Sequence, residues 1–279
     1  MMLATSSLSW ANRLHYQPAL HEASWESSSS RLQCRLEQEI PNYGRAQFVR
    51  TAGLSTRLHI HADHGASSRL EAELHSEPTA WMHGGQSQRL GKVKRRRGLT
   101  PFSFNSKMSN RLISELEQGR LPTLRYSEQA AGGKVKLALS SINFRPALEE
   151  FRRCNAALIQ IDYRHASNTT VLFGNGEKTL SPRGRRQLKA VADYVMNDPD
   201  INKISVEGFS DNVGTRGENY KLSRLRAQIV LEYLLSLKVP EDRISFDYYG
   251  EHSPAASNRT KKGRAKNRRV LVRLYKQFD

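Results

Sequence analysis

Residues 208–227 read GFSDNVGTRGENYKLSRLRA, and they say more about this chain than any other stretch. Ile204 to Phe209 alternates in hydropathy like a strand, and the apolar residues after Asn219 recur every three or four positions, which predicts a helix. Asp211 would then lie at the end of the strand and Arg226 two turns into the helix. A carboxylate, a guanidinium and the free N–H groups of a helix start suit a small zwitterion better than a uniform anion. No pair of residues there resembles a catalytic nucleophile and its base.

The alternation of strand and helix signals continues on both sides of this stretch. Ser181 followed by Pro182 is a helix-start signal, and helices interleaved with strands predict a layered sheet. We therefore expect residues 164–279 to form a β-α-β-α-β-β domain with two helices packed on a mixed sheet, within an α+β protein. The predicted strands are Thr170–Phe173, Lys203–Phe209, Arg243–Tyr249 and Arg268–Tyr275, and the predicted helices are Pro182–Met196 and Asn219–Leu237.

The first part of the chain, residues 12–163, has the pattern of a β-rich domain. Strand-like runs fill Leu32 to Leu74 and are broken by glycines. The segments predicted after them are a Gly- and Arg-rich loop (Gly84 to Gly98), a strand (Pro101 to Phe104), an amphipathic helix closed by Gly119 (Ser106 to Gln118), a strand (Lys134 to Leu139) and a helix (Pro146 to Leu158). We expect the boundary between the two domains in the polar segment Tyr163 to Asn168.

The 279-residue chain is strongly basic, with a formal charge of +17. The excess is spread, with 21 Lys and Arg against 13 Asp and Glu in residues 167–279 and 23 against 14 in residues 1–166. A spread basic surface fits an anionic polymer or a lipid headgroup layer as well as DNA, and nothing resembles a recognition helix or a base-stacking platform. We therefore expect no nucleic-acid partner. No segment approaches the length of a membrane-spanning helix.

The chain has two cysteines, Cys34 and Cys154. Neither has a partner at the spacing that zinc sites use. In an exported protein they would form one disulfide closing a loop of about 120 residues, whereas in a cytosolic protein both would be free thiols. Residues 1–11 resemble the end of a truncated secretory leader cleaved after Ala11, and a disordered cytosolic terminus is the alternative.

The second domain resembles the OmpA-like peptidoglycan-binding domain over about 110 residues. The matching residues, in family order, are Val171-Leu172-Phe173, Leu180-Ser181-Pro182, Gly208-Phe209-Ser210-Asp211, Arg226-Ala227, Tyr249-Gly250-Glu251 and Asn267-Arg268-Arg269-Val270. The resemblance implies that Asp211 accepts a hydrogen bond from the ammonium group of diaminopimelate, the zwitterionic diamino acid of the peptidoglycan stem peptide, and that Arg226 holds its carboxylate. It also places Asn219 and Leu222 at the pocket, where Ser210 replaces the usual threonine.

A basic run, Asn258 to Arg269, holds seven Lys and Arg residues. The resemblance places part of this run in the loop before the last strand, where it would meet the anionic wall polymer. Arg268 also has a structural interpretation, because the Asn-Arg-Arg segment of the family caps and buttresses the sheet near the pocket. Both interpretations of Arg268, as a binding residue and as a structural one, stay open.

The first domain resembles the N-terminal domain of the MotY family, the periplasmic T-ring proteins of sodium-driven polar flagellar motors. The similarity runs in order through Leu32-Gln33-Cys34, Ile40-Pro41, Tyr43-Gly44, Ile113-Ser114-Glu115-Leu116-Glu117, Gly119-Arg120, Pro122-Thr123 and Ala138-Leu139-Ser140-Ser141. The resemblance implies a Cys34–Cys154 disulfide, ring assembly, and a protein without enzymatic activity or cofactor. It implies that the first domain binds the basal body and a MotX-like protein, that the second binds peptidoglycan, and that together they help assemble the stator complex.

Two further interpretations belong to other classes of protein. One is a general OmpA-family wall anchor without a flagellar role. The other is a metal-dependent hydrolase, because residues 59–64 read HIHADH, but the further ligands that such a fold needs at long spacings are missing. We favour a solvated strand face on which His59, His61 and Asp63 could at most bind zinc or nickel adventitiously. The run KVKRRR, Lys92 to Arg97, is expected to be a solvated loop facing phosphate or an acidic partner.

Overall fold

The computed structural model describes residues 12–128 and 133–277, which form two compact units. The first unit runs to Leu158 but excludes Ala52–Leu54, and the second unit comprises those three residues and the remainder of the chain. The predicted boundary segment contains a one-turn helix over Tyr163–Ala166. The predicted leader, residues 1–11, lies outside the described residues. None of the described helices is long and apolar enough to cross a membrane.

The first unit consists of two sheets and two helices. Its elements are β1 (Asn12–Tyr16), β2 (Glu26–Ser29), β3 (Gln33–Ile40), β4 (Gly44–Thr51), β5 (Arg57–Ala62), β6 (Leu70–Glu77), β7 (Gln88–Arg95), β8 (Phe102–Ser103), α1 (Ser106–Glu117), β9 (Leu121–Glu128), β10 (Gly133–Ala138) and α2 (Phe144–Ala157). One sheet has the order β1-β10-β9-β6-β7, in which only β1 and β10 pair in parallel. The other has the antiparallel order β2-β3-β4-β5-β8.

Both helices cover the core of the first unit with one apolar face. The α1 helix packs on β5 and β9, and α2 packs on β2 and β3. Leu112 and Leu116 of α1 are buried, which confirms the predicted amphipathic helix to within one residue at its end. Gly119 takes a φ of 84° and donates its N–H to Leu116 O, so it ends the helix as predicted.

A disulfide joins the second helix to the sheet beneath it. Cys34 in β3 and Cys154 in α2 are bonded, with 5.9 Å between their Cα atoms, as the family resemblance implies. Trp25 packs against the start of the same helix, where its ring centroid lies 5.0 Å from that of Phe144 and its Nε1–H donates to Ser140 O at 2.7 Å. The α2 helix is thus held to the sheet covalently and by buried aromatic packing.

The predicted loop from Gly84 to Gly98 is wrong, because most of it is the strand β7. This strand pairs with β6 and forms the edge of its sheet. Its apolar residues Leu90 and Val93 are three positions apart, so hydropathy does not alternate every two residues as in a regular strand. The reason is a register shift in the pairing with β6, between Leu74 and His75. KVKRRR therefore begins on an edge strand and is not a solvated loop as predicted.

The second unit is a four-stranded sheet with two long helices packed on it. Its elements are α3 (Tyr163–Ala166), β11 (Asn168–Leu172), α4 (Pro182–Asn197), β12 (Ile201–Gly208), α5 (Arg216–Ser236), β13 (Ile244–Tyr248), α6 (Lys261–Asn267) and β14 (Arg269–Lys276), with a 3-10 turn at Glu241–Arg243. The order β11-β14-β12-β13 has one parallel pair, β12 with β13, which confirms the predicted mixed sheet. The short elements α3, α6 and the 3-10 turn were not predicted.

Gly208 allows α5 to lie directly on β12. A Cβ atom at this position would collide with Ser223 O and lie 2.9 Å from Ala227 Cβ. We expect Gly208→Ala to lower the free energy of unfolding of the second unit by about 2 kcal/mol, because overpacking would push the helix away. Denaturant unfolding followed by hydrogen exchange of the second unit measures this loss.

The matched control is Gly217→Ala in α5, the helix that packs on Gly208, because no atom lies within 4 Å of the Cβ added at position 217. We expect that substitution to leave stability unchanged or to raise it by about 0.5 kcal/mol, since alanine favours helix over glycine. Equal destabilisation by the two substitutions would contradict the close packing assigned to Gly208.

Candidate functional site

The candidate site begins where β12 ends and α5 starts. The helix starts at Arg216, three residues before the predicted Asn219, because Thr215 and Glu218 form a capping box. Thr215 accepts from the N–H of Glu218, and the Glu218 carboxylate accepts from the N–H of Thr215 at 2.9 Å. The Thr-x-x-Glu spacing was present in the sequence and could have located this start. Asp211 lies in the loop between the strand and the helix.

Asp211 is buried and forms an ion pair with Arg268. Its Oδ2 accepts from Arg268 Nη1 at 2.9 Å, and the two side chains are only 6% and 14% exposed. Arg268 also donates through Nε to Phe173 O at 3.2 Å. The structure thus brings Arg268 to the predicted pocket and, through the carbonyl of Phe173, links it to the end of β11.

Arg226 is fully buried on α5. Its Nε donates to Glu177 O at 3.1 Å and its Nη2 to Gly174 O at 3.0 Å, while its CZ lies 5.3 Å from the centroid of the Phe173 ring. Its Nη1 has no hydrogen-bond partner among the described residues. Burial, and secondarily the charge of Arg268, lower the pKa of Arg226 to about 10. Arg226 is therefore a buried cation with one free donor and an incompletely balanced charge.

Sequence reasoning missed the loop that holds Arg226. The loop follows β11, and the Glu177 carboxylate closes it by accepting from the N–H of Gly174 at 2.7 Å. A Cβ at position 174 would meet that carboxylate, so any larger residue there would displace the Glu177 side chain from the loop. The two carbonyls that fix the guanidinium are backbone groups, and no side-chain motif marks them.

Two of the remaining predicted residues, Asn219 and Ser210, bond to the segment that follows β13. Asn219 is buried and donates through Nδ2 to Glu251 Oε2 at 2.7 Å. Ser210 is buried, and its N–H donates to Gly250 O at 2.7 Å. Leu222 is half-buried on α5. Glu251 was not predicted as a site residue, although it belongs to the matched Tyr-Gly-Glu segment.

The assembled groups can bind a ligand that carries both signs of charge. The free Nη1 of Arg226 can donate to a carboxylate in a place that excludes water, where a charge-assisted hydrogen bond is strong. The carboxylate of Asp211 can accept from an ammonium group in addition to Arg268, because an ionised carboxylate has about four acceptor positions.

The histidine-rich strand β5 lies in the first unit. His59 Nδ1 is hydrogen-bonded to Ser103 Oγ and His61 Nδ1 to Thr100 Oγ1, each at 3.0 Å. Burial lowers the pKa of both imidazoles. Asp63 lies beyond the end of β5, where its N–H donates to Tyr43 O. Across residues 12–128 and 133–277, no three His, Cys, Asp or Glu side chains form a group that could hold a metal ion.

Comparison with known proteins assigns both units to families. Residues 16–159, more than half of the chain, match the MotY N-terminal domain, and residues 172–268 match the OmpA family. The sodium-type flagellar protein MotY of Vibrio parahaemolyticus is 29% identical over 265 residues, covering 93% of this chain and 89% of that protein.

Other similarities are confined to part of the chain. The peptidoglycan-binding protein ArfA of Mycobacterium tuberculosis is 42% identical over 102 residues, which cover 37% of this chain and 31% of that protein. The crystal structure of the C-terminal domain of Helicobacter pylori MotB is 25% identical, with a TM-score of 0.37, and covers 39% of this chain and 85% of that one. From the match over its first unit and the similarity along its length, the chain belongs to the MotY family and carries an OmpA-family domain in its second unit.

Proposed function

We propose that this protein is a periplasmic, non-enzymatic component of the flagellar motor that anchors to peptidoglycan by recognising diaminopimelate. Its first unit binds the basal body and a MotX-like protein, and the anchored protein helps assemble stators around the basal body. Similarity to MotY over nearly the whole chain supports the motor assignment, and the OmpA-family match supports the wall assignment.

The observation that carries the ligand assignment is the unpaired Nη1 of the buried Arg226. A buried guanidinium with a free donor is costly, and a bound carboxylate would offset that cost. Diaminopimelate presents an ammonium and a carboxylate on one carbon. Its carboxylate would accept from Arg226, and its ammonium would donate to Asp211 beside the ion pair with Arg268.

Asp211→Ala tests this pocket. We expect it to weaken binding to diaminopimelate-type sacculi by about 2 kcal/mol, or roughly 30-fold, because the ligand ammonium would lose its acceptor. Co-sedimentation of the purified full-length protein with sacculi measures the change. Asp247→Ala, which removes an exposed carboxylate from β13, is the matched control and should pellet like the wild type.

A second ligand comparison separates diaminopimelate from other wall chemistry. Sacculi whose stem peptides carry lysine lack the second carboxylate, so we expect the wild type to pellet with them far less. Pelleting of Asp211→Ala at the wild-type level would contradict the pocket. Equal pelleting with both kinds of sacculi would contradict recognition of diaminopimelate and leave wall binding itself standing.

A general envelope anchor without a flagellar role is the second candidate. It is favoured by the higher identity of the second unit to ArfA, 42%, than of the whole chain to MotY, 29%. A deletion strain distinguishes the two. Filaments that are present but do not rotate would support the motor role, whereas envelope blebbing with normal motility would support the general anchor.

A further inference from the structure

A groove of about 900 Å³ lies beside β7 in the first unit. In the described part of the chain, β7 is the last strand of its sheet, and β8, the last strand of the other sheet, contributes Ser103 to the groove. An edge strand leaves alternate backbone N–H and C=O groups without a strand partner. The groove therefore offers a row of backbone hydrogen-bonding groups to an extended chain.

Four unpaired cations line this groove. The side chains of Arg69, Lys94, Arg96 and Arg97 form no ion pair or hydrogen bond with any described residue. Two neighbouring cations differ, because Lys92 lies 2.9 Å from a Glu71 carboxylate oxygen and Arg95 lies 2.7 Å from one of Glu128. The uncompensated positive charge is thus concentrated on the open part of the groove, which favours an anionic occupant.

The groove also has an apolar component. Leu70, Val93 and Met108 are half-buried there, and each packs against the core with part of its side chain while part stays accessible. A β-strand directs successive side chains to opposite sides. A strand in which acidic residues alternate with apolar ones could therefore meet the cations with one set of side chains and the apolar residues with the other.

We propose that the groove beside β7 is the docking site for an acidic, extended segment of a protein partner, which adds to the sheet as a further strand. This docking site rests on the proposed role of the first unit in binding a protein partner. It names the surface to which that partner binds and the charge and backbone pairing that hold it. A second copy of this chain is disfavoured as occupant because each copy carries a net charge of +17. A flat lipid surface is disfavoured because the groove is concave.

The probe is an eight-residue peptide, the length of β7, in which glutamate alternates with valine. Its binding to the full-length protein is measured by fluorescence anisotropy. We expect binding that weakens as salt is raised, and protection of β7 amides from hydrogen exchange in the complex. The same peptide with alternate backbone N-methylation should not bind, because it cannot pair with an edge strand. A peptide with lysine in place of glutamate should not bind either.

The variant Lys94→Ala/Arg96→Ala/Arg97→Ala removes three of the free cations. We expect it to bind the acidic peptide at least about tenfold more weakly, since each exposed cation contributes a modest amount. These side chains are unpaired and mostly exposed, so the fold should persist.

The matched control, Arg183→Ala/Arg186→Ala/Lys189→Ala, removes three exposed cations from α4 in the second unit and should bind the peptide like the wild type. Sacculus pelleting by both triple variants should equal that of the wild type. This second measurement separates the two proposals. If a triple variant lost wall binding but kept peptide binding, the result would count against the pocket of Asp211 and Arg226 and would leave the docking site unaffected.

Three results would overturn the docking site. The first is equal binding of the N-methylated peptide, which would exclude strand pairing. The second is absence of peptide binding, together with binding to anionic phospholipid vesicles that the Lys94→Ala/Arg96→Ala/Arg97→Ala variant loses. That result would assign the groove to lipid. The third is concentration-dependent self-association that the same triple variant abolishes, which would assign the groove to a second copy.

Discussion

Removing the disulfide with Cys34→Ala/Cys154→Ala is expected to lower the free energy of unfolding of the first unit by about 4 kcal/mol. The bond closes a loop between residues 120 positions apart, so its loss would restore much conformational freedom to the unfolded chain. It also ties α2 to β3, and both cysteines are buried. Chemical unfolding followed by the fluorescence of the buried Trp25, which contacts Phe144 of α2, measures the loss.

Reductant provides the internal control for this experiment. We expect dithiothreitol to shift the unfolding midpoint of the wild type towards that of the double variant and to leave the variant unchanged. The second unit should keep its wall binding in the variant, because neither cysteine belongs to it. A midpoint that neither reduction nor substitution moves would show that the disulfide contributes nothing to stability.

Replacing Arg226 should have the largest effect on wall binding. We expect Arg226→Ala to weaken sacculus binding by about 3 kcal/mol, or roughly 150-fold, because the ligand carboxylate would lose a buried charge-assisted donor. The substitution would also leave the carbonyls of Gly174 and Glu177 without their donor. Arg226→Lys retains the charge but not the planar array of donors, so we expect it to lose most of the binding as well.

The control for this residue is Arg224→Ala, which removes an exposed guanidinium of α5 that lies 5.6 Å from the ring centroid of Tyr248. It should pellet with sacculi like the wild type. Circular dichroism and hydrogen exchange of the second unit separate lost binding from lost folding in Arg226→Ala. A folded Arg226→Lys protein that pellets normally would contradict the role assigned to the guanidinium.

The local elements of the second unit could be predicted because their signals lie within a few residues. Ser181 with Pro182 marks the start of α4, and the Ser181 side chain accepts from the N–H of Gly184 there. The start of α5 was predicted late, because its apolar periodicity begins after the capping box of Thr215 and Glu218. Helix periodicity and capping are local properties, so the sequence alone carries them.

The strand β7 shows where local signals fail. Its cations line a groove at the edge of a sheet, where charged side chains remain solvated and protect an unpaired strand from aggregation. Such composition is also typical of loops. Only the pairing of β7 with β6 distinguishes the two, and that pairing is made across the fold.

The candidate site also combines local features that the sequence predicts with long-range contacts that it does not. The order of strand, loop and helix, with Asp211 after the strand and Arg226 on the helix, follows from residues 204–237 alone, because hydropathy alternation and helix periodicity are local signals. The pairing of Arg268 with Asp211, and the hydrogen bonds from Arg226 to the carbonyls of Gly174 and Glu177, join parts of the chain that no local pattern connects. These partners lie 49 to 57 residues apart in the chain. The sheet order β11-β14-β12-β13 brings them together, and this order depends on the packing of the whole unit rather than on any local pattern.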